Sequence, residues 1–109
     1  MTVKALAEQL GCKILCMPSP DKEICGAYIG DLLSWVMGRA KENEAWITIM
    51  SNVNVIAVAS LCDVSAVILA EGVTLDAEVI NLAREKGINV FTSSLSAYET
   101  AIRLHGALK

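Results

Sequence analysis

The sequence predicts an α/β fold: a small three-layer domain with a mainly parallel sheet, β-α alternation and an N-terminal helix, forming one domain over residues 1–109. Three observations lead there. Short apolar runs alternate with helical stretches long enough to cross back over a sheet, the order that builds parallel strands. Hydrophobic residues make up 54% of the chain but aromatics only 5%, so the core has to be built from Val, Ile, Leu and Ala, as suits a sheet covered on both faces. A chain of 109 residues can also bury roughly two-thirds of its unfolded surface in one domain.

Thr2 is an N-cap residue, and Val3, Leu6, Ala7 and Leu10 follow the i, i+3, i+4, i+7 stripe of a helix that Gly11 stops. Cys12 to Met17 is a short apolar strand, ended by the turn Pro18 to Asp21, and Ile24 to Tyr28 reads as a second strand. Asp31 is placed to cap a helix from Leu32 to about Ala40 with Leu32, Leu33, Val36, Met37 and Ala40 on its buried stripe, and Trp35 falls off that stripe. After the polar break Lys41 to Glu44, Trp46 to Met50 is apolar enough for a central parallel strand.

Asn52 to Asp63 is rich in Val and Ile, which favours a strand by propensity. We read it as a helix, because strands on either side need a crossover of about a dozen residues. Ala66 to Ala70 is the next strand. Asp76 to Lys86 is a helix acidic at its start and basic at its end, with Val79, Leu82 and Ala83 inward and Gly87 as its stop. Ile88 to Thr92 is the last strand, and Ser96 with Glu99 forms an S-x-x-E capping box for a helix ending near Gly106.

Charge and hydropathy exclude some partners. The net charge is −3 and the nine Lys and Arg residues are scattered, which argues against nucleic acid. Lys4, Glu8 and Lys13 interrupt the stretch where the apolar part of a signal peptide would lie, and the longest apolar run, Val53 to Cys62, is too short for a bilayer. The expected setting is the cytoplasm, with no membrane partner. Cys12 and Cys16 lie about 13 Å apart on a strand rising ~3.3 Å per residue, too far to share a disulfide or a tetrahedral metal. No C-x2-C pair occurs, so reduced, unligated thiols are expected, with no metal and no cofactor.

Ligands of open α/β sheets bind beyond the carboxyl ends of the strands. Three loops occupy that edge: Ser51, Asn52 and Asn54; Glu71 and Gly72 with Thr74; and Ser93, Ser94 and Ser96. Each leads into a helix N-terminus, which favours a phosphate or carboxylate. Capping alone also accounts for Asn54, Thr74 or Asp76, and Ser96. No catalytic signature is present: there is no G-x-G-x-x-G and no G-x4-G-K-[ST], and the lone His105 has no serine or cysteine partner at a known spacing.

The segment Ala66 to Ala101, AVILAEGVTLDAEVINLAREKGINVFTSSLSAYETA, resembles the DRTGG domain family, and the N-terminal part, VKALAEQLGCKIL followed by DKEICGAYIGDLLS, is similar to the amino-terminal domain of the HPr kinase/phosphorylase family. Ala70, Glu71 and Gly72 stand where a Thr-Gly-Gly turn would be expected, and Ser51 to Asn54 contains no Asp-Arg pair. The resemblance implies a regulatory or accessory module that commonly self-associates, and no enzyme. It also implies, as an alternative, an accessory protein of an iron hydrogenase system using its cysteines. A small enzyme acting on a phosphorylated metabolite is a third reading. On the first, the partners are a small anionic ligand or a protein, and a second copy of the chain. Trp35, together with Val53 and Ile56 on an all-round apolar helix, is the expected homodimer surface.

Overall fold

The computed structural model describes residues 1–109, and β-α alternation runs through it after an N-terminal helix. The elements are α1 (Val3–Leu10), β1 (Lys13–Cys16), β2 (Gly26–Ile29), α2 (Leu33–Arg39), β3 (Glu44–Thr48), α3 (Asn54–Cys62), β4 (Ala66–Leu69), α4 (Ala77–Glu85), β5 (Val90–Thr92) and α5 (Ala97–Leu108). The sheet order is β1-β5-β4-β3-β2, with β2 to β5 parallel to their neighbours and β1 antiparallel to β5.

The central strands are buried on both faces, and side-chain alternation divides their residues between two cores. Trp46, Val67, Leu69 and Val90 face one side, where Val36 of α2, Val55, Ile56 and Ala59 of α3 and Ala83 of α4 cover them. Ala45, Ile47, Ala66, Ile68 and Phe91 face the other, under Val3, Leu6 and Ala7 of α1 and Leu104 of α5. Each wholly buried large side chain contributes roughly 1.5–3 kcal/mol.

Several local expectations hold in atomic detail. The Thr2 hydroxyl accepts from Ala5 N at 3.1 Å, and Gly11 closes α1 at φ 66°. Asn52 to Asp63 is helical over Asn54–Cys62, as the crossover requires. Others do not hold. β3 starts at Glu44, two residues before Trp46, because the Glu44 carboxylate is taken up locally by Lys41 N at 2.7 Å and does not oppose pairing. Asp31 caps nothing. Its carboxylate accepts instead from the Thr48 hydroxyl at 2.7 Å and from Ile49 N at 3.2 Å, tying the end of β2 to the end of β3.

The short α2 buries only Val36 fully, and Leu32 and Met37 are exposed. At α3 the turn is made by Asn52, whose side chain accepts from Asn54 N at 2.9 Å, so Asn54 is the first helical residue and not the cap. Ile56 is wholly buried in the first core, so it is not part of an exposed face; Val53 and Leu61 are the exposed large apolar residues there. α5 runs on through Gly106 to Leu108.

At the amino edge of the sheet a single side chain holds the proline turn. The Asn89 amide accepts from Ser19 N at 2.9 Å and donates to Ser19 O at 2.8 Å and Ser65 O at 2.9 Å, while Asn89 itself is buried. Asn89→Ala leaves these backbone groups unmatched and is expected to lower the unfolding free energy by about 2–4 kcal/mol. The shift of the urea midpoint measures it; a loss below about 1 kcal/mol would mean that water replaces all three bonds.

Candidate functional site

The chain leaving β4 runs to α4 on the first face, whereas the chain leaving β5 runs to α5 on the second. Connections that part in this way open a crevice at the carboxyl ends of the two strands. β1 closes one side. Because it is antiparallel to β5, its first residues reach that same end of the sheet, and Lys13 stands opposite Thr92. The result is a cleft of about 340 Å³ lined by Gly11, Lys13, Gly72, Thr74, Thr92 and Ser94, with no hydrophobic residue among them.

Backbone hydrogen bonds fix the walls. Val73 N donates to Ala70 O at 3.2 Å, and the two residues between them have positive φ, 60° at Glu71 and 70° at Gly72. That is the pattern of a type I′ turn. The turn is joined to the loop after β5, since Glu71 N donates to Leu95 O and Gly72 N to Ser93 O, both at 2.8 Å. The Thr92 hydroxyl lies 2.7 Å from Val73 O and 3.2 Å from Leu69 O. The Ser93 hydroxyl is buried, paired with that of Thr100 at 2.9 Å, and accepts from Leu95 N at 3.1 Å. Ser96 caps α5 by accepting from Glu99 N at 3.1 Å.

Three lining side chains have no partner within the protein. The ion pairs of the chain are Met1 with Glu23 and Lys22 with Asp63, so the Lys13 ammonium has no carboxylate partner. Thr74 and Ser94 are exposed and spend their hydroxyls on no group of the protein. Of the residues predicted for this edge, Gly72, Thr74 and Ser94 line the cleft, while Ser93 and Ser96 build its support and Glu71 shapes the turn. Ser51, Asn52 and Asn54 are not brought there. Asn54 instead borders a groove of about 300 Å³ between α3 and α4, with Val53, Ile56, Ala57, Ser60, Leu82 and Lys86. Sequence reasoning passed over Lys13, whose place follows only from the antiparallel pairing of β1.

Three of the thiols are poor nucleophiles. Burial pushes the pKa of Cys12, Cys16 and Cys62 up, and at Cys16 the Arg84 charge and a hydrogen bond from the Val90 backbone oppose that rise. No three His, Cys, Asp or Glu side chains are grouped to hold a metal ion. No helix is long and apolar enough to cross a membrane.

Comparison with known proteins adds two findings. The family model of the DRTGG domain matches residues 5–107. The fold is also that of a crystal structure of the CBS and DRTGG domains of the regulatory region of Clostridium perfringens pyrophosphatase, complexed with the activator diadenosine tetraphosphate. The TM-score is 0.72 at 17% identity, over 91% of this chain and 44% of that one, so the chain spans less than half of that region. Among curated proteins none matches.

The raised thiols make stability depend on pH. An unfolded chain loses thiol protons at about pH 8.5, while the folded chain holds them to higher pH. In that window the unfolded state binds fewer protons, so unfolding free energy falls as pH rises above about 8.5. Urea midpoints at about pH 7.5 and 9.5 should drop accordingly, and replacing the three cysteines by alanine should flatten the drop. An identical drop in that variant would assign it to other groups.

Proposed function

Because the chain belongs to the DRTGG domain family, we propose that it is a non-catalytic regulatory module that takes a small anionic, nucleotide- or phosphate-like ligand in the cleft beside Lys13. The observation that carries this reading is the cleft itself, where an unpaired ammonium and two free hydroxyls meet at the point where the connections part. The activator bound to the C. perfringens regulatory region supports a nucleotide-like ligand, in a region that holds CBS domains as well. The raised pKa values of Cys12, Cys16 and Cys62 support a module that does not use these thiols as nucleophiles. Four free cysteines suit a reducing cytoplasm.

Self-association belongs to the same proposal. Along the adjacent helices α2 and α3 and the residues that lead into them, Leu32 is 58% exposed, Trp35 56%, Val53 50% and Leu61 70%. The Arg39 guanidinium lies 4.1 Å from the centre of the Trp35 ring, presenting a flat cation–π surface. A symmetric pair of copies would hide these groups.

A thermal-shift series with ATP, AMP and diadenosine tetraphosphate tests the ligand. At a hundred times its Kd a ligand adds about 2.7 kcal/mol to the unfolding free energy, a Tm rise on the order of 10 °C for a chain of this size. No shift with any phosphate compound would refute the reading. Light scattering tests the dimer. A mass twice 11.6 kDa that falls to 11.6 kDa in Trp35→Glu is expected. A wild-type mass of 11.6 kDa would sink the dimer. Ile56→Glu is no test of the dimer, because it places a carboxylate in the core and unfolds the chain.

A further inference from the structure

The make-up of the cleft separates one part of a nucleotide from the other. We infer that the ligand is held by a single terminal phosphoryl group and that a nucleobase contributes nothing, an inference that rests on the cleft being the ligand site as proposed above. Bases are bound by stacking on aromatic or apolar surfaces. None lines this cleft. Of the chain's rings, Trp46 and Phe91 are wholly buried in the two cores, Tyr28 packs against the first core, Trp35 lies under Arg39 on α2, and Tyr98, exposed on α5, is not among the residues that line the cleft.

The donors fit a phosphoryl group. Lys13 supplies a compact ammonium, and Thr74 and Ser94 add hydroxyls without internal partners. Gly72 leaves the wall open, since a Cβ there would meet nothing within 4 Å. The Gly72 amide is already spent on Ser93 O and the Gly11 amide on Glu8 O, so the backbone offers no second anion nest at these residues. One cation with two hydroxyls matches one phosphate monoester. Glu71 and Asp76 lie on the same loop without lining the cleft, and they disfavour additional negative charge around it. The ligand class is therefore a phosphorylated small metabolite, or a nucleotide read only through a terminal phosphate, a group that diadenosine tetraphosphate, capped by adenosine at both ends, does not have.

Calorimetry on the whole chain with AMP, ribose 5-phosphate and adenosine decides this. Ribose 5-phosphate and AMP are expected to bind within about threefold of each other, adenosine not at all, and Lys13→Ala to weaken both phosphates by about tenfold or more while Lys13→Arg retains them. Lys13 is exposed, so neither variant disturbs the core. If AMP binds at least about tenfold more tightly than ribose 5-phosphate, or adenosine binds alone, the base is read and the inference falls while the proposed function stands. If no phosphate compound binds, both fall together. Phosphates that bind Lys13→Ala as well as they bind the natural chain would place the site elsewhere and overturn the inference.

Discussion

A short sheet whose middle strands are apolar on both faces has to be covered twice, and the rest of the molecule follows from that requirement. Trp46, Val67, Leu69 and Val90 demand cover on one side, and Ala45, Ile47, Ala66, Ile68 and Phe91 on the other. The right-handed crossovers from β2 through β5 each advance one strand in the same direction, so they deliver α2, α3 and α4 to a single face. Only the ends of the chain remain for the second face, and α1 and α5 meet there. The parting of α4 and α5, and with it the cleft, is thus a by-product of burying apolar surface.

The parts of this design that depend on neighbours in sequence were legible. α1, α4 and α5 declare themselves through stripes, caps and a stop glycine, and β4 through an unbroken apolar run. α3 was legible through connectivity, against the β propensity of its Val and Ile residues. What could not be read were side chains with distant partners. Asp31 has the chemistry of a cap, but the Thr48 hydroxyl competes for its carboxylate from across the sheet. Ile56 reads as one of several apolar residues on an all-round apolar helix, and only the packing decides that it points inward. Lys13 is an ordinary surface lysine until β1 is known to run against β5.

The turn after β4 shows how a conformation outlasts its letters. Residues 71 and 72 both take positive φ, which glycine adopts freely, yet one of them is Glu71. A Gly-Gly pair would suit the same geometry, which gives a physical reason for the Thr-Gly-Gly pattern expected at this turn. Here the bonds from Glu71 N and Gly72 N to the loop after β5 hold a non-glycine residue in the left-handed region. Membership of the DRTGG domain family therefore rests on the pattern of the whole chain and not on the turn.

The pairing that places Lys13 at the cleft also sets an order of events in folding. Partners across β2–β3, β3–β4 and β4–β5, such as Ala27 with Ala45, Trp46 with Val67 and Ile68 with Phe91, are close in sequence, whereas Ile14 pairs with Phe91 from the far end of the chain. Loop closure costs more entropy as the loop lengthens, and in synthesis β1 leaves the ribosome long before its partner exists. β1 must wait for β5, and its docking carries Gly11 and Lys13 into place. The polar cleft is accordingly complete only once the edge strand has docked, and it is lost when that strand detaches.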